Sequence, residues 1–198
     1  MNVAEPSRKL VVADIADARA YERERADLRA RVIELKRRRR VSLGTVISLM
    51  FENRETMRYQ IQEMARVEKI FTDEGIQEEL DTYNPMVPEP GHLCATLFIE
   101  LTSDEQMREW LPKLVGIERS IVFRLSNGEE VRCEVDPQHA GQLTREHITA
   151  AVHYLTFAFT PAQVAAFGHG TILAIDHPDY LEAVELEPST VAELLADL

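Results

Sequence analysis

Acidic and amide side chains recur at helical spacing in FENRETMRYQIQEM, residues 51–64, and such groups bind ligands or transfer protons. Thr56, Gln60 and Glu63 are separated by four and then three residues, so on a helix they form one polar stripe, with Glu52 just before it. A stripe of this kind either lines a cleft or forms a solvated edge of the helix. The residue types therefore predict a location for a site without specifying a reaction.

A metal ion in this region would need ligands from elsewhere in the chain. Glu52 and Glu63 are eleven residues apart, which along a helix is about 16 Å at 1.5 Å per residue, so they cannot share one ion. Glu100, His153 and His177 are the carboxylate and imidazole groups that could join either of them. The metal hypothesis therefore requires the two halves of the chain to meet.

The role of His153 depends on the face of the sheet to which its side chain points. His153 lies between Val152 and Tyr154 in an apparent strand, so its side chain points to the opposite face from theirs. If that face is the core, His153 is a hydrogen-bonded core histidine; if it faces the polar stripe, it is the best base or ligand in the chain. The candidate catalytic residues are therefore Glu63, His153 and Tyr83.

Two further motifs have a structural interpretation beside the functional one. In DHPDY, residues 176–180, His177 precedes a proline, which favours an extended histidine and a tight turn. Tyr83-Asn84 ends a helix before Pro85, where Asn84 can serve as a C-cap. No GxSxG elbow, Walker loop or GxGxxG motif is present, so nothing in the sequence indicates a nucleophilic serine or a nucleotide site.

Charge is divided unevenly along the chain. Residues 1–40 carry a balance of +5 and residues 41–198 a balance of −17, for a net charge of −12. The acidic part argues against general nucleic-acid binding because it repels phosphate. The basic run at the end of the first segment can bind an anion, an acidic partner or the acidic part of its own chain, or it can be a solvated helix end; its members are Lys36, Arg37, Arg38, Arg39 and Arg40.

Several classes of protein are disfavoured by composition. No apolar run approaches the ~20 residues of a membrane span, and the N-terminus does not have the pattern of a secretory signal. Cys94 and Cys133 lack CxxC spacing, which predicts two buried free thiols in a reducing cytoplasm unless their strands are neighbours. Two cysteines are also too few for an iron–sulfur cluster held by this chain alone.

The helices that must position these groups lie mainly in the first half. Residues 15–39 are expected to form a highly charged helix with a narrow apolar stripe, which consists of Tyr21, Leu28, Val32 and Leu35. Through this stripe the helix either packs across the rest of the chain or pairs with a second copy of the protein. Residues 45–51 fit either a helix or a short buried strand, and their β-branched residues favour the strand. Asn53 then caps a helix over 54–71. We expect that helix to bury Met57, Ile61, Met64 and Phe71, and a second helical piece to carry Ile76, Leu80 and Tyr83.

The second half has mostly strand patterns. Asn127-Gly128 is the strongest hairpin signal, Thr160-Pro161 begins a small helix, and Ser189 is expected to cap the last one. The predicted fold class is α+β, with a helical N-terminal half packed on a mostly antiparallel sheet. Residues 1–40 form a leader and a basic helix, and residues 41–198 form a single domain. The expected strands are 93–101, 120–125, 129–135, 150–159, 171–175 and 180–186.

Several blocks together resemble a bacterial family of unassigned role, domain of unknown function thirty-five-zero-one. They are FENRETMRYQIQEM, ELDTYNPMVPEPGHLCATLFIE, AVHYLTF and DHPDY, with the KRRRR run before them and ADL at the end, and the resemblance covers residues 8–198. It implies a cytoplasmic accessory protein in a redox or peroxide-handling system, with a rubrerythrin-like protein or a cysteine-rich iron–sulfur oxidoreductase as partner. It supplies no catalytic residue and no cofactor. The matching positions are Phe51, Glu52, Asn53, Thr56, Gln60, Glu63, Met64, Tyr83, Asn84, Glu100, His153, Asp176, His177 and Tyr180.

Two hypotheses of different class follow. In the first, the protein is a non-catalytic partner that docks onto an iron protein, or dimerises through its N-terminal helix. In the second, it is a small enzyme or metal binder whose cleft joins the polar stripe from Glu52 to Glu63 with His153.

Overall fold

The computed structural model describes residues 7–135 and 147–198 of the 198-residue chain. Its α-helices are α1 (Ala18–Arg39), α2 (Arg54–Glu68), α3 (Asp73–Tyr83), α4 (Asp104–Lys113), α5 (Pro161–Ala166) and α6 (Pro188–Leu195). Its strands are β1 (Arg40–Leu43), β2 (Ile47–Glu52), β3 (His92–Ile99), β4 (Ile121–Arg124), β5 (Glu130–Arg132), β6 (Val152–Ala158), β7 (Ile172–His177) and β8 (Tyr180–Glu185). None of the helices in these two ranges has the length and apolar character needed to cross a bilayer.

The strands form two antiparallel sheets of four strands each. The first sheet has the order β1-β2-β3-β6, and the second has the order β5-β4-β7-β8. Asn127-Gly128 connects β4 to β5 as predicted, and Gly128 takes a φ of +87°, which favours glycine. The α+β class is confirmed, with helices concentrated before the sheets, although the single predicted sheet is divided into two.

The main core lies between the two sheets. Alternate residues of the first sheet point into it, so Leu49 and Leu97 face each other across β2 and β3 with Ala95 on the same side. Phe51, Phe123 and Phe157 form its aromatic centre, and the ring centroids of the last two are 4.8 Å apart. This face is therefore filled by packing side chains.

The other face of the first sheet, which we call the outer face, is covered by helices. The strand register places Met50 beside Thr96 and Thr96 beside Tyr154 on this face, with Glu52 two residues further along β2. A second apolar cluster joins α2 and α3 to Cys94 of β3 through Met57, Ile61 and Leu80. The partial cover leaves space over part of the outer face.

Helix α1 packs on the same chain along the predicted stripe. Tyr21, Leu28 and Val32 are buried, and the helix contacts α2, β2 and α6. At its end the side chain of Arg39 is 1% exposed, donates hydrogen bonds to the carbonyls of Phe51 and Glu52, and pairs with Asp197. The stripe that suggested dimerisation is thus used within one chain.

Two local predictions are wrong. Phe71 is 72% exposed because α2 ends at Glu68 and Lys69 takes a left-handed φ of +57°, which turns the chain away from the buried face. Ser189 does not cap α6, because Pro188 occupies the first helical position and Glu187 is the N-cap. By contrast, Asn53 caps α2 as expected, with its side chain accepting from the backbone N–H groups of Glu55 and Thr56.

Candidate functional site

A cleft of about 260 Å³ opens over the outer face of the first sheet. Its floor is formed by β2, β3 and β6, and its walls by the end of α1, the start of α2 and the segment that follows α3. Cations, an acid, two tyrosines, an amide and three methionines are brought together here. The lining residues are Lys36, Arg40, Met50, Glu52, Met57, Gln60, Tyr83, Met86, Thr96, Phe98, Val152 and Tyr154.

Glu52 is the buried acid of this cleft and is 4% exposed. Thr56 Oγ1 donates a 2.6 Å hydrogen bond to Glu52 Oε2, and Thr96 Oγ1 donates one of 3.0 Å to Oε1. Among the described residues, no lysine or arginine forms an ion pair with this carboxylate, although buried charges are normally paired. The amino-terminal end of α2 begins two residues later and favours a nearby negative charge.

The two tyrosines stand at the β6 side of the cleft. Burial raises the pKa of Tyr154, and the neighbouring Tyr83 and Glu52 raise it further. Tyr83 ends α3, and the next residue, Asn84, is the C-cap, as predicted. Asn84 also holds the leader, since its side chain exchanges two hydrogen bonds with the backbone of Leu10. The position of Tyr83 is thus set by a helix end that is tied down on both sides.

Two residues of the basic run line the cleft, and the other three lie outside it. Lys36 and Arg40 line the cleft, and Arg40 lies over the Phe98 ring at 5.1 Å while it donates to Ser48 Oγ at 3.0 Å. Lys36 forms no ion pair with any residue of the two described ranges. The structure thus brings two of the five predicted anion-binding cations to one cleft.

The other three cations bind acids of their own chain. Arg37 and Arg38 pair with Glu34, and Arg38 also reaches Glu193 at 2.7 Å. Arg39 is the buried anchor at the end of α1. These three residues are therefore structural. Arg40 lines the cleft but pairs with Glu100, so of the five expected anion-binding cations only Lys36 has no ion pair among the described residues.

Glu63 lies outside the cleft and links α1 to α2. Arg25 Nε donates to its Oε1 at 2.7 Å, and the hydroxyl of Tyr21 donates to the same oxygen at 2.6 Å. The hydrogen bond from Arg25, with those from Tyr21 and Arg66, lowers the pKa of Glu63 to about 2. The polar stripe is consequently divided: Thr56 and Gln60 serve the cleft region and Glu63 a helix–helix contact.

His153 points away from the cleft, into the core between the sheets. It pairs with Leu97 in register and is 1% exposed, and Nε2 lies 2.8 Å from Thr149 Oγ1 and 2.9 Å from the carbonyl oxygen of Ala150. Burial lowers its pKa. The expected cleft between the Glu52–Glu63 stripe and His153 is therefore wrong, because strand alternation places Tyr154 on that face instead.

The remaining metal candidates are also dispersed. Glu100 pairs with Arg40 and accepts a hydrogen bond from Ser48. The hydrogen bond from Ser48, and then that from Arg40, lowers the pKa of Glu100. His177 Nε2 donates to the Val115 carbonyl at 3.0 Å, and Nδ1 accepts from the Asp179 N–H, so both ring nitrogens hold the predicted turn. Within residues 7–135 and 147–198, no three histidine, cysteine or acidic side chains are grouped to hold a metal ion.

Both cysteines are free and buried, as predicted. Cys94 belongs to the first sheet and faces the helices, whereas Cys133 follows β5 of the second sheet. Burial raises the pKa of both thiols, that of Cys133 to about 11. Neither is activated as a nucleophile, since the thiolate is the reactive form.

Three larger clefts lack the feature that singles out this one. A cleft of about 350 Å³ between α1, α2 and α3 contains buried Gln62, whose amide oxygen and nitrogen each form a hydrogen bond with the backbone of Ala16. A cleft of about 490 Å³ beside α6 is apolar around Leu186 and Val191. The third cleft, of about 340 Å³, lies between the start of α2 and the C-terminal residues Ala196 and Asp197. None of the three is lined by a buried charged side chain. Glu52, Gln60 and Tyr83 of the sequence-based candidates therefore define the candidate site, and Tyr154, Thr96 and the methionines complete it.

The chain is similar to a known family of proteins and to a solved structure. The family model described as "Protein of unknown function (DUF3501)" matches residues 9–198. A crystal structure of a novel protein of unknown function from Burkholderia pseudomallei K96243, at 1.90 Å resolution, is 39% identical with a TM-score of 0.86, and the match covers 96% of this chain and 99% of that one. No curated protein matches. The chain belongs to the DUF3501 family, whose function is unknown.

Proposed function

We propose that this protein binds a small polar molecule in the Glu52 cleft. The observation that carries the proposal is a carboxylate that is 4% exposed, lines a cleft and has no cationic partner among the described residues. Two threonine hydroxyls orient it, at 2.6 Å and 3.0 Å.

The cost of this arrangement supports a binding role. Removing a carboxylate from water costs several kcal/mol unless hydrogen bonds and a counter-charge compensate. Two hydroxyl donors compensate only in part, because each is worth about 1 kcal/mol net, or somewhat more when the acceptor is charged. A bound molecule that donates hydrogen bonds to Glu52 would supply the remaining compensation for desolvation. Binding sites often contain residues of this kind, which lower the stability of the free protein.

Methionine methyl NMR tests this proposal directly. Met50, Met57 and Met86 line the cleft, and Met107 lies on α4, so [methyl-¹³C]methionine labels report on the cleft and carry an internal control. We expect members of a library of small amines and carboxylates to shift the three cleft signals and leave Met107 unchanged. Shifts of Met107 alone, or no shifts with any member, would contradict the proposal.

A cleft-filling variant sharpens the test. Gln60 is half-buried at the wall of the cleft, so Gln60→Trp places an indole in the space and is expected to abolish these shifts. Glu68→Trp at the exposed end of the same helix is the matched control and should bind as the wild type does.

Docking onto a redox partner is a second candidate, favoured by the distribution of charge. Resemblance to the family implies an accessory role beside a rubrerythrin-like or iron–sulfur protein in the cytoplasm, and the two free thiols agree with a reducing compartment. Arg25, Arg38 and Arg39 of the basic N-terminal segment pair with acids of residues 41–198 and neutralise only part of their −17 balance. The remaining net charge of −12 favours a partner with a basic surface. Complex formation would then weaken with salt.

Co-elution at low and high ionic strength tests this docking. We expect the protein to elute with a rubrerythrin-like or iron–sulfur partner in dilute buffer and to separate from it in about 0.5 M salt. Elution as separate species in dilute buffer would contradict it. A homodimer through α1 would have to use the solvent face of the helix, where Ile33 is 54% exposed, and light scattering of Ile33→Glu beside the wild type tests that arrangement.

A further inference from the structure

The unpaired carboxylate also indicates what kind of ligand the cleft takes. We propose that the ligand is an amphoteric amine: its ammonium group binds Glu52 and its anionic group faces Lys36. This inference rests on the proposed binding function and names the class of ligand for the same cleft.

The Glu52 end is built to accept hydrogen bonds. Each carboxylate oxygen has two acceptor positions and receives one threonine hydroxyl, from Thr56 on Oε2 and from Thr96 on Oε1. One acceptor position therefore remains on each oxygen of a side chain that lines the cleft. An ammonium group supplies both the donors and the opposite charge, whereas a neutral hydroxyl supplies only a donor and a second carboxylate is repelled.

The walls beside Glu52 suit a cation attached to an apolar body. Tyr83 and Tyr154 present aromatic rings, which attract cations, and Met50, Met57 and Met86 present polarizable thioethers. Tyr154 is close enough to Glu52 for the carboxylate to raise the pKa of its hydroxyl. The apolar part of the ligand therefore lies on thioether and aromatic surfaces.

The opposite side of the cleft supplies a cation for an anionic group. Arg40 is already engaged with Ser48 and Glu100, which leaves Lys36 as the lysine or arginine of the cleft without an ion pair among the described residues. Arg40 is the register partner of Met50, and Glu52 lies two residues beyond Met50 on β2. One strand spacing and two residues correspond to about 8 Å between the Cα atoms of Arg40 and Glu52.

A ligand whose two charges are separated by one benzene ring is comparable in length with the separation of Arg40 and Glu52. Three related probes separate the contributions of its two charges. They are para-(aminomethyl)benzoate, with both charges, benzylamine, with the cation alone, and benzoate, with the anion alone. We expect wild-type affinity, followed through the Met50, Met57 and Met86 methyl signals, to be highest for para-(aminomethyl)benzoate. Benzyl alcohol has the shape of benzylamine without its charge and should bind about tenfold more weakly or worse.

Variants assign each charge to its residue. Glu52→Gln should weaken para-(aminomethyl)benzoate and benzylamine by about tenfold or more and leave benzoate unchanged or tighter. Lys36→Met should weaken the two probes that carry a carboxylate and spare benzylamine. Lys69→Met, at the end of α2 and outside the cleft, is the matched control and should change none of the three.

The outcomes distinguish the ligand class from the binding function. If benzoate shifts the cleft methyls and the two amines do not, the cleft binds small molecules but the amine assignment is overturned. Equal binding of benzyl alcohol and benzylamine to the wild type would overturn it as well, and needs no variant to fold. If no probe shifts the cleft methyls while the library yields only ligands without an amine, the amine assignment alone fails. If nothing binds, both proposals fail.

Discussion

Tyr21 of α1 donates a 2.6 Å hydrogen bond to Glu63 of α2, and this contact holds the long N-terminal helix on the body of the protein. Arg25 reaches the same carboxylate from one turn further along α1, at 2.7 Å and 3.0 Å. The tyrosine is 1% exposed, so its hydroxyl depends on Glu63 for a partner. This three-residue contact explains why the most prominent acid of the polar stripe is absent from the cleft.

Removing Glu63 is expected to destabilise the fold. Glu63→Ala leaves the buried Tyr21 hydroxyl unsatisfied, which costs about 1–3 kcal/mol of unfolding free energy. Urea denaturation followed by circular dichroism measures the loss. Glu68→Ala, an exposed acid on the same helix, is the control and should change stability by less than about 0.5 kcal/mol. Equal stability of the two variants would show that the contact is not needed.

The same contact makes stability depend on pH in a defined window. The pKa of Glu63 is about 2 in the folded protein against an ordinary value of 4.5, so the unfolded chain binds a proton there first. The stabilisation is complete above pH 4.5 and is lost as pH falls from 4.5 towards 2. We expect the difference in unfolding free energy between wild type and Glu63→Ala to shrink across that window. A constant difference would contradict this assignment.

Arg39 is predicted to be the costliest of the basic run to replace. Arg39→Met leaves the half-buried carboxylate of Asp197 without its partner and removes donors from the Phe51 and Glu52 carbonyls, with an expected loss of about 3 kcal/mol. Arg37→Met affects only an exposed pair with Glu34 and should leave stability close to that of the wild type, because solvent screens such pairs. Thermal denaturation of both variants makes the comparison, and similar melting temperatures would refute the prediction.

Neutralising Glu52 should not destabilise the free protein. Glu52→Gln keeps the shape of the side chain and removes a buried charge that has no counter-ion among the described residues. The substitution also loses the attraction between the carboxylate and the amino-terminal end of α2, but that attraction is worth only about 0.3–1 kcal/mol. The desolvation saved is several kcal/mol, so unfolding free energy should stay equal or rise. A fall of more than about 1 kcal/mol in urea denaturation at pH 7 would show that the carboxylate is compensated within the protein. Thr96→Val, which removes a donor to Glu52, should instead lower stability.

His153 is expected to impose a second pH dependence. Burial lowers its pKa below the ordinary 6.5, so the unfolded chain takes up a proton that the folded protein resists. Stability is therefore full above pH 6.5 and falls below it, until the folded pKa is reached. His153→Gln should flatten this slope, whereas exposed His169→Gln should keep it. An unchanged slope in His153→Gln, measured as unfolding free energy between pH 7 and 5, would exclude His153 as its source.

Local patterns were sufficient for much of the fold. The Asn53 cap, the Asn127-Gly128 turn, the alternating strands and the α1 stripe depend on interactions within a few residues, so they could be predicted from neighbouring side chains. Phe71 and Ser189 could not, because a left-handed residue and a proline ended or began their helices at positions that periodicity does not specify.

The candidate site, too, could be predicted from the sequence only in part. Sequence alone determined that Glu52, Gln60 and Tyr83 were chemically suited to a cleft, and that His153 and Tyr154 must face opposite sides of one strand. Only the tertiary structure decided which side was which: the second sheet packs against the His153 side, so Tyr154 meets Glu52 under the helices. Strand alternation is a local property, whereas the choice of buried face depends on contacts between residues far apart in the chain.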